Sequence, residues 1–414
     1  METEKKIDIS HSSLIARQPI CNGSLKVVAF ELLYRMNNGG ANHAIIDNQD
    51  SATIDVLLAA YNDLSIHDVI GKQQAFVNFT SNIIINNLPP LSPKQLVIEL
   101  LEDQEVTPEL IKALKNLRSK GYKIALDDFC LTKETLSLIE CADIIKLDVL
   151  DQAPETWENY IPKLKARGIT MLAEKVETYE IYEQCKALGF ELFQGYFFAK
   201  PKVLSGKKMS RNSMSVLQLI GKLNKTDVDY DDVINTISAD VGLSYNLLRT
   251  LNSGMYAQMN KVNSVRQAAV TLGLNNLRSW INLLALGSLD DKPQILLETA
   301  MVRAKMCELL GEIITKKSAP DGYFTIGLFS VIDAFFDTPL EALIKKLGLS
   351  EELIIALLQH KGEKGEVLQI VMHYQEDKLT KNDLAKLEDY DISNQELTQA
   401  YLNSLYWSKK QTTK

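Results

Sequence analysis

Short apolar runs that end in polar or ionisable residues recur through the first half of the chain. The clearest is Lys123-Ile-Ala-Leu-Asp127-Asp128-Phe129, where three apolar residues stop at two adjacent carboxylates. A run of this length with polar flanks reads as a buried strand. Successive strand residues face opposite sides, so Asp127 and Asp128 should diverge. Residues 13–35 read as two strands joined by a turn at Asn22-Gly23-Ser24, the second carrying Glu31. Further strands follow at Ala75-Phe-Val-Asn78-Phe, Gln95-Leu-Val-Ile-Glu99-Leu, Asp143-Ile-Ile-Lys146-Leu-Asp148, Ile169-Thr-Met-Leu-Ala-Glu174 and Phe190-Glu-Leu-Phe-Gln194-Gly195.

Between these runs the period changes to that of a helix. Residues 48–62 place Ile54, Leu57, Leu58 and Tyr61 on one face. Thr107-Pro108 supplies a cap and a proline at the first helical position of a helix ending near Gly121. One helix is expected between Asp148 and Arg167-Gly168, and another from Thr178 to Leu188. Strands alternating with helices imply βαβ units and a parallel sheet. Seven or eight strands in about 200 residues fit a closed barrel, whose chemistry sits at the C-terminal ends of the strands. Glu31, Asn78, Glu99, Asp127, Lys146, Glu174 and Gln194 are all expected at or near that face.

After Lys200-Pro201 the strand signal stops. The expected division is an α/β barrel over 12–203, a linker and hinge over 204–212, and an all-α domain over 213–407. Leu217, Ile220, Ile234, Leu247 and Leu251 carry the helical period, Ser264 caps a helix ending at Gly273, and 294–314 form one helix or a close pair. The polar tail from Ser408 onward is expected to fray.

Composition narrows the class. The 414 residues are 46% hydrophobic and 24% charged, which suits two globular domains. A net charge of −8 argues against binding nucleic acid through bulk electrostatics. Five scattered cysteines suit reduced thiols, not a disulfide or zinc framework. The first residues are charged, with no apolar signal core, and no run approaches membrane-spanning length. A cytoplasmic protein without a membrane anchor is expected.

The candidate site has a hard, all-oxygen donor set: Glu31, Asn78, Glu99 and Asp127. Such donors suit Mg²⁺ or Mn²⁺. Asp128 and Glu174 can hold a second ion, and Lys146 can steer a water or balance phosphate charge. Two hard ions in one mouth suit phosphodiester hydrolysis. The same parts also permit enolisation with Lys146 as base.

These motifs carry a family resemblance. Gln18-Pro19-Ile20 followed by Glu31-Leu-Leu-Tyr-Arg35 resembles the signature of EAL-type cyclic di-GMP phosphodiesterases. The Asn78, Glu99–Glu102, Asp127-Asp128-Phe129, Lys146–Asp148, Glu174–Glu177 and Gln194-Gly195-Tyr196 motifs match in order. The resemblance implies a modified TIM-like (β/α)8 barrel that hydrolyses cyclic di-GMP to linear pGpG with two Mg²⁺ or Mn²⁺ ions. It implies Glu31, Asn78, Glu99, Asp127 and Asp128 as metal ligands, and Lys146, Glu174, Asp128 and Gln194 as catalytic residues. Gln18, Arg35 and Glu177 would contact substrate, and a homodimer is possible within the family. Two departures stand out. The loop Cys130-Leu-Thr-Lys-Glu134, anchored in the family by the residue at Glu102, has no glycine, and Lys175 replaces a glycine.

The second half resembles the helical HDOD module through Ser244–Ser253, Ser264–Gly273 and Leu277-Arg-Ser-Trp280. Where a related metal phosphohydrolase needs His-Asp, this chain has Ser330-Val331, so a non-catalytic regulatory or docking module is expected, with an unknown protein partner. The leading function is hydrolysis of cyclic di-GMP. The alternative is a degenerate barrel that senses the dinucleotide or acts as a scaffold without turnover.

Overall fold

The computed structural model describes residues 14–35, 70–87 and 92–202, most of 264–412, and isolated positions between 217 and 238. The expected helix over 48–62, the linker over 204–212 and the Ser244–Ser253 motif lie outside the described residues. The chain divides into two compact units, the first built on the barrel and the second on the greater part of the C-terminal helices.

Eight strands close into a barrel in chain order: β1 (Leu14–Asn22), β2 (Val27–Arg35), β3 (Gln74–Phe79), β4 (Leu96–Leu100), β5 (Lys123–Leu126), β6 (Ile144–Asp148), β7 (Thr170–Glu174) and β8 (Leu192–Gln194). From β2 to β8 neighbouring strands are parallel. β1 runs antiparallel to both β2 and β8, because only a short turn separates it from β2. Asn22 shapes that turn, its Oδ1 accepting from the backbone N–H groups of Ser24 and Lys26.

Residues from seven strands meet as an apolar layer inside the barrel: Ile20, Ala29, Phe76, Val97, Ala125, Ile144 and Leu172, with Leu192 of β8 packed against it. Side chains two apart on a strand share a face, so the next inward residue of each strand is also determined.

The helices between strands follow their capping signals. Thr107 Oγ1 accepts from Leu110 N at 3.2 Å and opens the helix Pro108–Ser119. Thr178 Oγ1 does the same for Tyr179–Leu188, which stops at Gly189 in the left-handed region. The single helix expected between Asp148 and Arg167 is instead broken into a 3₁₀ turn, Pro154–Trp157, and a short helix, Ile161–Ala166. Pro154 and Pro162 explain the break, since each lacks a backbone donor and sits comfortably only in a first turn.

In the second unit Ser264 Oγ accepts from Gln267 N ahead of the helix Val265–Leu272. Gln294–Thr315 is one helix, with Leu296, Ala300, Cys307 and Leu310 buried along it. It meets the helix Tyr323–Phe329 at Gly327, where an added Cβ would lie 2.6 Å from Ala304 Cα. The tail differs from expectation. The last helix, Asn394–Thr412, runs past Trp407, because Ser408 is buried and its hydroxyl donates to Met301 Sδ at 3.9 Å. Among the described residues no helix is long and apolar enough to cross a membrane.

Candidate metal centre at the barrel mouth

The period of two carries the apolar layer into a polar one. Two residues beyond Ala29, Phe76, Val97, Ala125, Ile144, Leu172 and Leu192 stand Glu31, Asn78, Glu99, Asp127, Lys146, Glu174 and Gln194. All seven therefore point inward at one level above the core. β1 runs the other way, so its contribution lies two residues before Ile20, at Gln18.

Lys146 is the hub of this ring. It is fully buried, and its Nζ lies 2.7 Å from Asp127 Oδ1, 2.7 Å from Glu174 Oε1 and 3.3 Å from Glu31 Oε2. It also bonds Glu99 Oε1. Gln194 Nε2 donates to Glu31 Oε2 and to Gln18 Oε1, each at 2.7 Å. Asn78 Nδ2 reaches Glu31 Oε1 at 3.5 Å.

One ammonium among four buried carboxylates leaves negative charge in excess. Burial, then repulsion from Glu31, pushes the Glu99 carboxyl well above the usual carboxylate range, although Lys146 opposes this. Burial also drives Glu174 well up, against the pull of Lys146. Asp127 goes the other way: burial tends to raise it, but the charge and hydrogen bond of Lys146 win and hold it low. Burial would lower the Lys146 ammonium, yet the four carboxylates together raise it well above a free lysine.

Asp128 follows β5 with φ 37, which turns its side chain out of line with Asp127. It is half-buried, and burial followed by the Asp127 charge raises its carboxyl. Two groups of carboxylates bring oxygens within 4.8 Å of one another: Glu31, Glu99 and Glu174, and Asp127, Asp128 and Glu174. Glu99 Oε2 and Asp128 Oδ1 are buried without a hydrogen-bond partner. Unpaired buried carboxylate oxygens are costly unless a cation meets them. The donor set is all oxygen, so it fits Mg²⁺ or Mn²⁺.

The ring brings together Gln18, Glu31, Asn78, Glu99, Asp127, Lys146, Glu174 and Gln194, with Asp128 beside it. Glu31 lies in the middle of β2, not at its end, because that strand continues to Arg35. The side chain of Arg35 lies outside the described residues. Glu177 is half-buried in the loop before Tyr179–Leu188. Phe197 and Phe198 are buried wall residues.

Asp148 received no role from the sequence. It is buried at the end of β6, its Oδ1 accepting from Leu150 N at 2.8 Å and its Oδ2 bonding Lys175 Nζ at 2.5 Å. Its signal was its position two residues after Lys146, which places it on the same strand face. The Cys130–Glu134 loop is closed without glycine by Thr135 Oγ1, which donates to Cys130 O at 2.6 Å and accepts from Thr132 N at 2.9 Å.

Residues 11–201 match the EAL domain family and residues 211–336 match the HDOD domain family. The Bacillus subtilis (strain 168) protein YuxH is 35% identical over 403 residues, spanning 95% of this chain and 97% of its own. The cyclic di-GMP phosphodiesterase CdgJ of Vibrio cholerae is 31% identical over 367 residues, spanning 88% of this chain and 85% of its own. Among solved structures, a manganese/cy-diGMP complex of Klebsiella pneumoniae BlrP1 is 25% identical with a TM-score of 0.39, covering 47% of this chain and 57% of that one.

Proposed function

We propose that this chain, which belongs to the family of proteins joining an EAL domain to an HDOD domain, hydrolyses cyclic di-GMP to linear pGpG at the mouth of its barrel. The observation that carries the reading is the excess of carboxylates around Lys146, with buried oxygens on Glu99 and Asp128 still unpaired. The activity recorded in the name of the Vibrio relative supports it.

Glu31, Asn78, Glu99 and Asp127 would hold one divalent ion, and Asp127, Asp128 and Glu174 a second. Such ions, when bound, acidify a water and neutralise charge on the phosphoryl oxygens. The protein's own groups do the remaining work. Lys146 keeps Glu31, Glu99, Asp127 and Glu174 converged and offsets part of their charge. Gln194 fixes the rotamer of Glu31 through its 2.7 Å bond and orients Gln18 in the same step. Glu174 sits at the junction of both carboxylate groups, where its oxygens can accept a proton from the attacking water. Gln18, Arg35 and Glu177 are the proposed contacts to the dinucleotide.

The helical domain is proposed to be a regulatory or docking module without hydrolytic chemistry. Ser330 Oγ accepts from Arg303 Nη1 at 3.1 Å and donates to Gly327 O at 2.8 Å. A buried guanidinium beside Ser330-Val331 disfavours a divalent cation there.

Purified full-length chain incubated with cyclic di-GMP and Mn²⁺ or Mg²⁺ should yield pGpG by chromatography, and Glu31→Ala should stop it. Nucleotide binding with no product at any metal concentration would instead assign the barrel as a sensor.

A further inference from the structure

Lys175 follows the last residue of β7 with φ 52, the left-handed region that a side chain rarely adopts. Its backbone is pinned on both sides. Val149 N donates to Glu174 O at 3.3 Å, and Val176 N donates to Gln194 O at 3.0 Å. Gly195 presses against that same segment, leaving no room for a Cβ beside Val176 O. A strained conformation persists only where its surroundings over-determine it.

From this fixed point Lys175 Nζ bonds Asp148 Oδ2 at 2.5 Å and lies 3.9 Å from Asp128 Oδ2. Asp148 is held in turn by the N–H groups of Leu150 and Asp151. The other oxygen of Asp128, Oδ1, is buried and unpaired. Its carboxylate groups with Asp127 and Glu174. Lys146 touches carboxylates of both groups, whereas Lys175 reaches only the Asp128 side.

We propose that Lys175 is a positioning residue that places a tethered positive charge beside the Asp127–Asp128–Glu174 half of the centre, so that the two halves bind divalent ions with unequal affinity. The half containing Glu31 and Glu99 fills first, and the Asp128 half fills only at higher metal concentration. This rests on the metal-centre reading above. The physical cause is like-charge repulsion at short range between the Lys175 ammonium and an ion held by Asp128.

The test is a Mn²⁺ titration of the full-length protein, following the electron paramagnetic resonance signal of free aqueous Mn²⁺, with no nucleotide present. Wild type should show one tight and one weak site. Lys175→Gln should tighten the weak site by at least about tenfold, the scale expected when a full charge is removed a few ångströms away, and leave the tight site unchanged. Lys175→Gly, which removes charge and strain together, should behave like Lys175→Gln. Lys175→Arg, which keeps the charge, should keep the weak site weak. Two equal sites in wild type, or a weak site unmoved by Lys175→Gln, would overturn the proposal and leave the metal centre standing. Wild type that binds no Mn²⁺ at all would remove both.

Discussion

Lys146 of β6 meets Asp127, just past β5, at 2.7 Å, and the pair lies inside a ring of three further carboxylates. Lys146 has no water to fall back on and Asp127 has little, so each depends on the other.

Removing the lysine should therefore damage the metal-free protein. Lys146→Met leaves the carboxylates without their central cation, a change expected to cost about 3–5 kcal/mol for a broken buried pair. A divalent ion can replace the lost charge. Mn²⁺ at about a hundred times its Kd should return roughly 3 kcal/mol. Thermal melts of the variant with and without Mn²⁺ check this. A variant as stable as wild type without metal would show that Lys146 is not the counter-ion of the ring.

Glu99 presents the opposite case. Its carboxyl is driven up by burial and by neighbouring acids, so the folded protein favours the protonated form. Such a group contributes full stability below its unfolded value and loses it as pH rises toward its folded value. Glu99→Gln cannot ionise. Its melting temperature relative to wild type, in the absence of metal, should rise steadily from about pH 4.3, the free glutamate value, upward. The same variant should lose pGpG formation, because a ligand oxygen has become an amide. A pH-independent difference in melting temperature would refute the assignment.

Gly195 lets β8 leave the barrel beside Val176. With φ 141, an added Cβ would lie 2.1 Å from Val176 O. Gly195→Ala must move either the end of β8 or the Lys175–Val176 segment. A loss of several kcal/mol, about 3 or more, is expected for such combined strain and overlap. Denaturant melts should show it, and Gly23→Ala provides the control, since its backbone is not in the left-handed region and a Cβ there meets only Lys186 Cε at an ordinary 3.7 Å.

Asp333 in the helical unit supplies a second pH marker. Burial raises its carboxyl to about 6, against hydrogen bonds from the backbone of Ala334 and its own N–H and the charge of Arg303. The raised value means stability is present below the unfolded range and is lost as pH climbs from about 4 to about 6. Asp333→Asn should gain stability over wild type across that window, by a difference on the order of 2–3 kcal/mol at neutral pH, read from denaturant melts. A gap that stays constant from pH 4 to pH 7 would rule this out.

The polar ring could be read from the chain because of a simple period. Each of its residues stands two places from an apolar residue of the same strand, and a strand repeats its facing every two residues. Helix starts at Thr107 and Thr178 were legible for a similar reason, since capping is local chemistry. The break at Pro154 and Pro162 was equally local but lay hidden under the expectation of one crossover helix. Other features depend on contacts between distant strands. The bonds from Lys146 to four carboxylates arise only when five strands close around it. The tie from Lys175 to Asp148 joins the end of β6 to the residue after β7, a spacing no local pattern encodes. The final helix outlasts its polar sequence because Ser408 finds a buried seat beside Met301. Periodicity and capping reside within a segment, so the amino-acid order alone determined them. Charge balance and tail packing are properties of segments brought together, and only the closed structure decided them.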